Sequence, residues 1–322
     1  MHERTTRQHV SRARLLLLLG SVMTTPAAFA DSSPRFAGPL LSPAPPLPVG
    51  MLNIEPYLIN SQLRGVYDGE GDRHDASGPD GWYLAVPVQY GLHERVTVAA
   101  SFNASYNRDG DHSRAFDIGD TTLSALIGLY KGDGPNRPTL TLAVRQSIPT
   151  GHHDRLEDRP ISVASGTGVG ATSFGLHSQA YFVDGQLRLR ASTLWRTPGA
   201  NAGVRGQSAF GTPIGFDGRV RMGAAMTSLL AAEYSLSRTW VLAGELLHER
   251  ESESSLHGTQ PAAAGREAFH RRDPSSWRFS VVPAVQYHWS DSVALVAGAQ
   301  VSLAGRNSSA VFVPQVALNM VW

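Results

Sequence analysis

Trp277-Arg278-Phe279-Ser280-Val281-Val282-Pro283-Ala284-Val285-Gln286-Tyr287-His288-Trp289 alternates without interruption. Trp277, Phe279, Val281, Pro283, Val285, Tyr287 and Trp289 share one face, and Arg278, Ser280, Val282, Ala284, Gln286 and His288 share the other. A period of two is that of an extended strand. Rings at both ends of the apolar face, with aliphatics between them, suit a strand that crosses a bilayer: the rings meet two interfaces and the aliphatics meet hydrocarbon.

The same pattern recurs to either side. Trp82, Leu84, Val86, Val88, Tyr90 and Leu92 share a face, as do Val96, Val98, Ala100, Phe102, Ala104 and Tyr106. Phe312, Pro314, Val316, Leu318, Met320 and Trp322 share another, with Gln315, Ala317 and Asn319 opposite. Turn residues divide the chain into twelve such segments, at 50–60, 82–91, 95–106, 117–130, 138–149, 169–182, 186–197, 218–234, 239–251, 276–289, 291–303 and 310–322. The links after segments 2, 4, 6, 8 and 10 are tight, and those after 1, 3, 5, 7 and 9 are long and polar. Short turns on one side alternating with longer loops on the other, with an even strand count, characterise outer-membrane barrels. The expected fold class is therefore all-β, a transmembrane antiparallel β-barrel of about twelve strands.

Three tight turns repeat a pattern: Gln89-Tyr90-Gly91-Leu92-His93-Glu94, Glu233-Tyr234-Ser235-Leu236-Ser237-Arg238 and Gln286-Tyr287-His288-Trp289-Ser290-Asp291. Hairpin chemistry accounts for the turn residues. The recurring Tyr points to an interfacial girdle on the periplasmic side.

Before the barrel, Arg4, Arg7, Arg12 and Arg14 precede the apolar run from Leu15, and Ala28-Phe29-Ala30 fits a cleavage site, so residues 1–30 read as a signal peptide. Its removal takes four of the 28 basic and one of the 27 acidic residues, which leaves 292 residues with a formal charge of −2. That balance does not suggest a nucleic-acid partner. Residues 31–49 hold six prolines, which remove ladder donors, and so form a periplasmic or plug-like lead segment ahead of a barrel at 50–322. There is no cysteine, and no later apolar run is long enough for a membrane helix.

Several blocks resemble a known family. They are Phe36-Ala37-Gly38-Pro39-Leu40, Asn53-Ile54-Glu55-Pro56-Tyr57-Leu58, Gln89-Tyr90-Gly91-Leu92, Ile118-Gly119-Asp120-Thr121, Gln146-Ser147-Ile148-Pro149-Thr150-Gly151 and Ala232-Glu233-Tyr234-Ser235-Leu236. Spread in order over most of the chain, they resemble outer-membrane transporters grouped as the MetA-pathway-of-phenol-degradation family. The resemblance implies a barrel in the bacterial outer membrane that passes aromatic or other hydrophobic compounds. It carries over no binding residues.

Charged side chains on membrane strands belong on the lumen side, because the lipid face penalises them. Arg145, Arg188, Arg190, Arg196, Arg219 and Arg221, on segments 5, 7 and 8, have inward parity. Asp120 on segment 4 and Glu245 and Glu249 on segment 9 share it. Opposed basic and acidic walls would orient dipolar or anionic solutes; the same residues could equally fill a narrow lumen with ion pairs. Neither a metal site nor a cofactor is expected. The acidic loop Asp68 to Asp75 lacks the spacing of a dedicated calcium loop, and His152-His153-Asp154 is extended, so adjacent side chains point apart. For a lipase the candidate pairs are His288 with Ser290, on the periplasmic side, and His177 with Ser178, of opposite parity; no GxSxG occurs, so no catalytic residue is assigned.

The expected function is passive uptake of small molecules, aromatic or anionic ones included, through a monomeric pore. A non-conducting structural barrel is the alternative, and a lipid hydrolase the third reading. Expected partners are membrane lipids, lipopolysaccharide, the solute, and the outer-membrane assembly machinery, which reads a terminal strand ending at Trp322.

Overall fold

Period-two patterning becomes a closed wall of twelve antiparallel strands. The computed structural model describes residues 34–322 except 44, 79–80, 110–111, 114–116, 133, 135, 157–163 and 200; the expected leader at 1–30 lies outside the described residues. The barrel strands are β1 (in two pieces, Leu52–Ile54 and Tyr57–Tyr67), β2 (Gly81–His93), β3 (Val96–Asp109), β4 (Thr121–Lys131), β5 (Thr139–Ile148) and β6 (Ala171–Phe182). The others are β7 (Leu187–Arg196), β8 (Ala225–Ser235), β9 (Trp240–Glu251), β10 (Ser276–His288), β11 (Val293–Arg306) and β12 (Ser308–Val321). Pairing of Tyr57 with Ala317 and Leu58 with Val316 joins β1 to β12, so no edge is left in the wall. β1 breaks at Glu55-Pro56, where proline has no N–H for the ladder.

Outward side chains form the apolar band that the alternation foretells. Leu84, Val98, Phe102, Leu176, Leu189, Leu230, Leu242 and Leu246 are all exposed on the outer surface. Such a continuous apolar surface is what a protein presents to lipid rather than to water. The recurring tyrosines sit at the short-turn end. There Trp240 stacks edge-on to Tyr287 with centroids 4.8 Å apart, and Tyr287 to Trp289 at 5.3 Å. At the long-loop end one cross-strand row runs Phe174, Trp195, Met226, Arg250, Trp277, Arg306. Two aromatic girdles bracket the band.

The structure departs from the sequence reading in three places. The link between β11 and β12 shrinks to Asn307 alone, which takes a positive φ of 49°; Asn tolerates that conformation better than most residues. β1 runs on to Tyr67 and past the expected end at 60. The third departure concerns two candidate lumen residues. Arg219 and Arg221 do not lie on β8, which starts at Ala225. They belong to a separate four-stranded sheet, Ala202–Arg205, Asp217–Arg221, Ser254–Ala262 and Gly265–Asp273, built from the loops after β7 and β9. Its apolar face buries Val204, Val220 and Leu256 with Phe210, Phe216, Met222 and Val169. Arg219 and Arg221 alternate with Val220 and point to the opposite, exposed face. Alternation reports a strand, but not which sheet it joins.

Residues 34–43 and 45–49 form a finger in the short-turn half of the lumen. Arg35 pairs with Asp291 in the turn after β10. The chain then rises past Gln286 to Ser42 and Pro43, and descends to Leu47 and Pro48 beside Thr97 and Gly91. Phe36, Ala37, Leu40 and Leu47 are buried, and Ala37 and Leu40 pack with Tyr57, Ile59, Tyr83, Val282 and Val296 of the inner wall. Gly91 is required here, because a Cβ on it would lie 1.9 Å from the Pro48 carbonyl oxygen. Both ends of the finger are at the same rim.

In the first outer loop Asp68 caps its own turn. Oδ1 accepts the N–H groups of Glu70, Gly71 and Asp72 at 3.0, 2.9 and 2.9 Å, and Oδ2 lies 2.6 Å from His74 Nε2. The hydrogen bond to His74 lowers the Asp68 pKa, and the same bond raises that of His74. The raised imidazole contributes order that is full below its ordinary 6.5 and is lost as pH climbs through the raised value. The depressed carboxylate contributes order that is full above 3.8 and is lost as pH falls through the lowered value. Amide-exchange protection at Gly71 and Asp72 is therefore expected to be highest between pH 3.8 and 6.5 and to decline on both sides. A flat profile would show that the pair does not hold the loop.

Candidate functional site in the barrel lumen

Strand parity sends alternate side chains inward, and the lumen they line has two storeys. The lower one holds the finger. On adjacent strands Arg188 and Glu233 face each other in register and form a bidentate pair, Nε to Oε2 at 2.7 Å and Nη2 to Oε1 at 2.8 Å, with both side chains buried. Gln286 Nε2 donates to Glu233 Oε1 at 2.7 Å and to the Gly38 carbonyl at 2.9 Å, while its Oε1 accepts the Ala37 N–H at 2.9 Å. One amide thus joins the ion pair to the finger. Arg190 donates to the carbonyls of Ser42 and Pro43 at 3.3 and 3.1 Å, and its Nε lies 3.6 Å from Glu233. Glu245 accepts the Leu41 N–H at 2.8 Å and the Ser42 hydroxyl at 2.7 Å. Thr97 accepts the Leu47 N–H at 2.7 Å. The Arg188 guanidinium sits 4.6 Å from the Phe36 ring centroid, a cation–π contact.

Above the finger lies a cavity of about 240 Å³, lined in part by Tyr83, Asn103, Arg145, Arg196, Glu249 and Arg278. Arg278 donates to Glu249 at 2.7 and 2.9 Å, and Arg196 to Glu251 at 2.9 Å and to the Gly223 carbonyl at 3.2 Å. Arg145 is buried in the wall of the same cavity. A cavity of about 150 Å³ holds a benzene molecule, so this one has room for a single substituted ring. Its ceiling is fixed by Asp120, whose carboxylate accepts the Gly151 N–H at 3.1 Å and both the N–H and hydroxyl of Thr167, at 2.8 and 2.9 Å. The two outer loops that this carboxylate ties together flank the mouth.

The sequence-derived candidates thus separate. Arg145, Arg188, Arg190, Arg196, Glu245 and Glu249 lie in the lumen, at two heights. Asp120 precedes β4 and works as a loop tie rather than part of an acidic wall. Arg219 and Arg221 are outside the lumen. The expected opposed walls are replaced by neighbour-to-neighbour pairing, Arg188 with Glu233 and Arg278 with Glu249, because buried charges gain most from the closest partner of opposite sign. Glu233, Gln286 and Arg278 also face the lumen, and parity is the sequence signal that marks them: Arg278 and Gln286 share the polar face of β10, and Glu233 takes the place of Gln286 in the repeated turn. His288 lies inside, 3.4 Å from Gln286 Oε1, while the Ser290 hydroxyl engages the turn at Ser292 and Val293, so the two are not brought together as a dyad.

The COG4313 outer membrane channel from Pseudomonas putida F1 superposes with a TM-score of 0.65 over 86% of this chain and 97% of that one, at 16% identity. The fold is that of an outer-membrane β-barrel. The toluene transporter TodX of P. putida overlaps 85% of this barrel and 90% of its own chain at 12% identity, but its TM-score of 0.38 carries no argument about the site. No family model and no curated protein matches the sequence.

Proposed function

We propose that this barrel is an outer-membrane channel for small solutes, in which residues 34–49 serve as a displaceable plug. The observation that carries this reading is the two-storey lumen. A cavity of single-ring size, with polar groups around it, lies directly above a segment held by side-chain hydrogen bonds rather than by strand pairing. Pores that merely fill themselves would have no reason to keep such a cavity. The similarity to the COG4313 channel supports a channel, and the resemblance to the phenol-degradation transporters supports an aromatic solute. Arg145 adds positive charge in the wall of the cavity, which favours rings that carry an anionic or dipolar substituent.

One observation favours the alternative of a structural, non-conducting barrel: the finger fills the lower lumen and buries its apolar side chains there. Proteoliposome swelling separates the two readings. With the intact protein, benzoate and phenol are expected to enter several times faster than a disaccharide. Equal exclusion of all three, by the intact chain and by one without residues 34–47, would establish the structural reading.

A further inference from the structure

The barrel carries a basic strip outside the pore, arranged on two levels. The lower level lies in the upper girdle row. There Arg250 and Arg306 flank Trp277 through direct cross-strand register, Arg250 opposite Trp277 and Trp277 opposite Arg306. Both arginines are exposed, both have the parity of the lipid-facing residues, and among the described residues neither pairs with a carboxylate. Charge on a lipid-facing position is tolerated only near an interface, which fixes their height at the head-group level. Two strand spacings separate them, about 10 Å.

The upper level is the exposed face of the outer sheet. In register, Arg221 lies opposite Ser255, which lies opposite Arg272, and the next row sets Arg219 beside His257 and His270. The two imidazoles stack at 4.2 Å. Carboxylates close to this face are Asp217, in the row beyond, and Glu253, 3.8 Å from Arg272. The orientation of this face follows from the chain. Met222 and Val169, in the sheet's apolar core, also line the cavity. The apolar side of the sheet therefore continues the lumen side of the wall, and the basic side continues the side that carries Arg250. These exposed side chains face whatever surrounds the barrel.

The geometry points to a docking surface for the phosphates of lipopolysaccharide. Guanidinium groups bind phosphate through two parallel N–H donors. A glycolipid that bears phosphates both on its membrane-anchored sugars and on its core sugars presents them at two heights, matching Arg250 and Arg306 below and Arg221 and Arg272 above. A phospholipid offers phosphate at the lower height alone. This surface does not depend on whether the lumen conducts.

The test is native mass spectrometry of the full detergent-purified chain with added lipid A, core-bearing lipopolysaccharide, dephosphorylated lipid A or phosphatidylglycerol. Folding of each variant is verified by its heat-dependent gel mobility. The wild type is expected to bind lipid A at least tenfold more tightly than the dephosphorylated form or phosphatidylglycerol. Arg250→Ser with Arg306→Ser should weaken both phosphorylated probes about tenfold, the scale of losing charge-assisted bonds. Arg221→Ser with Arg272→Ser should weaken core-bearing lipopolysaccharide several-fold and leave lipid A unchanged. Equal affinity for the dephosphorylated probe, equal affinity for phosphatidylglycerol, or folded variants that bind as the wild type does would each overturn the assignment.

Discussion

Deleting residues 34–47 is expected to raise the time-averaged conductance per barrel roughly a hundredfold in planar bilayers. The finger contributes nothing to the wall, since every strand from β1 onward keeps its partners without it. As the proposed plug it would contribute occlusion, held by bonds to Gln286, Glu245, Arg190 and Thr97. These bonds, together with the burial of Phe36, Ala37, Leu40 and Leu47, offset the cost of ordering the segment, which proline lowers by fixing the backbone beforehand. A net retention of about 3 kcal/mol would keep the displaced state below about 1%, so removal of the finger exposes nearly the whole effect. Gly91→Val should act in the same direction with the finger present, because its Cβ would displace Pro48. Unchanged conductance in both proteins would mean that the lumen is closed by something other than this segment.

The second large effect concerns stability. Arg188→Met is expected to cost about 3–5 kcal/mol in urea unfolding from lipid, because it leaves Glu233 buried beside Arg190 with its bidentate partner gone. Adding Glu233→Leu should recover part of that loss, since it removes the orphaned carboxylate. Recovery will fall short because Arg190 loses the carboxylate 3.6 Å from its Nε and Gln286 Nε2 loses one of its two acceptors. A double variant no more stable than Arg188→Met would show that Glu233 is not the group destabilised by the single change.

The wall was legible from alternation alone, because hydrocarbon and lumen impose opposite chemistry on neighbouring residues. Trp277 to Trp289 reads as β10 within one residue at either end. The site was legible by side but not by height or partner. Arg188 and Arg190 were placed inward by parity, yet nothing local shows that Glu233 and the carbonyl of Pro43 meet them. The contact between Ser42 and Glu245 spans 203 residues and depends on where the finger turns back, which has no period to read. Arg219 and Arg221 show the limit from the other direction. Their alternation is as clean as any in the barrel, and it belongs to a sheet that the barrel does not include.

The described residues of the finger start and finish at one rim, so none of them threads the cylinder from end to end. Withdrawal therefore requires no unzipping of the β1–β12 seam and no passage of a free terminus through the wall. A pull from the periplasm on the residues preceding Arg35 would peel the contacts in order, first the Asp291 pairing, then Gln286, and last the apex at Ser42 and Pro43. Loading by such a tether is sequential, so it meets one small barrier at a time, and the segment can return along the same track once the pull ends.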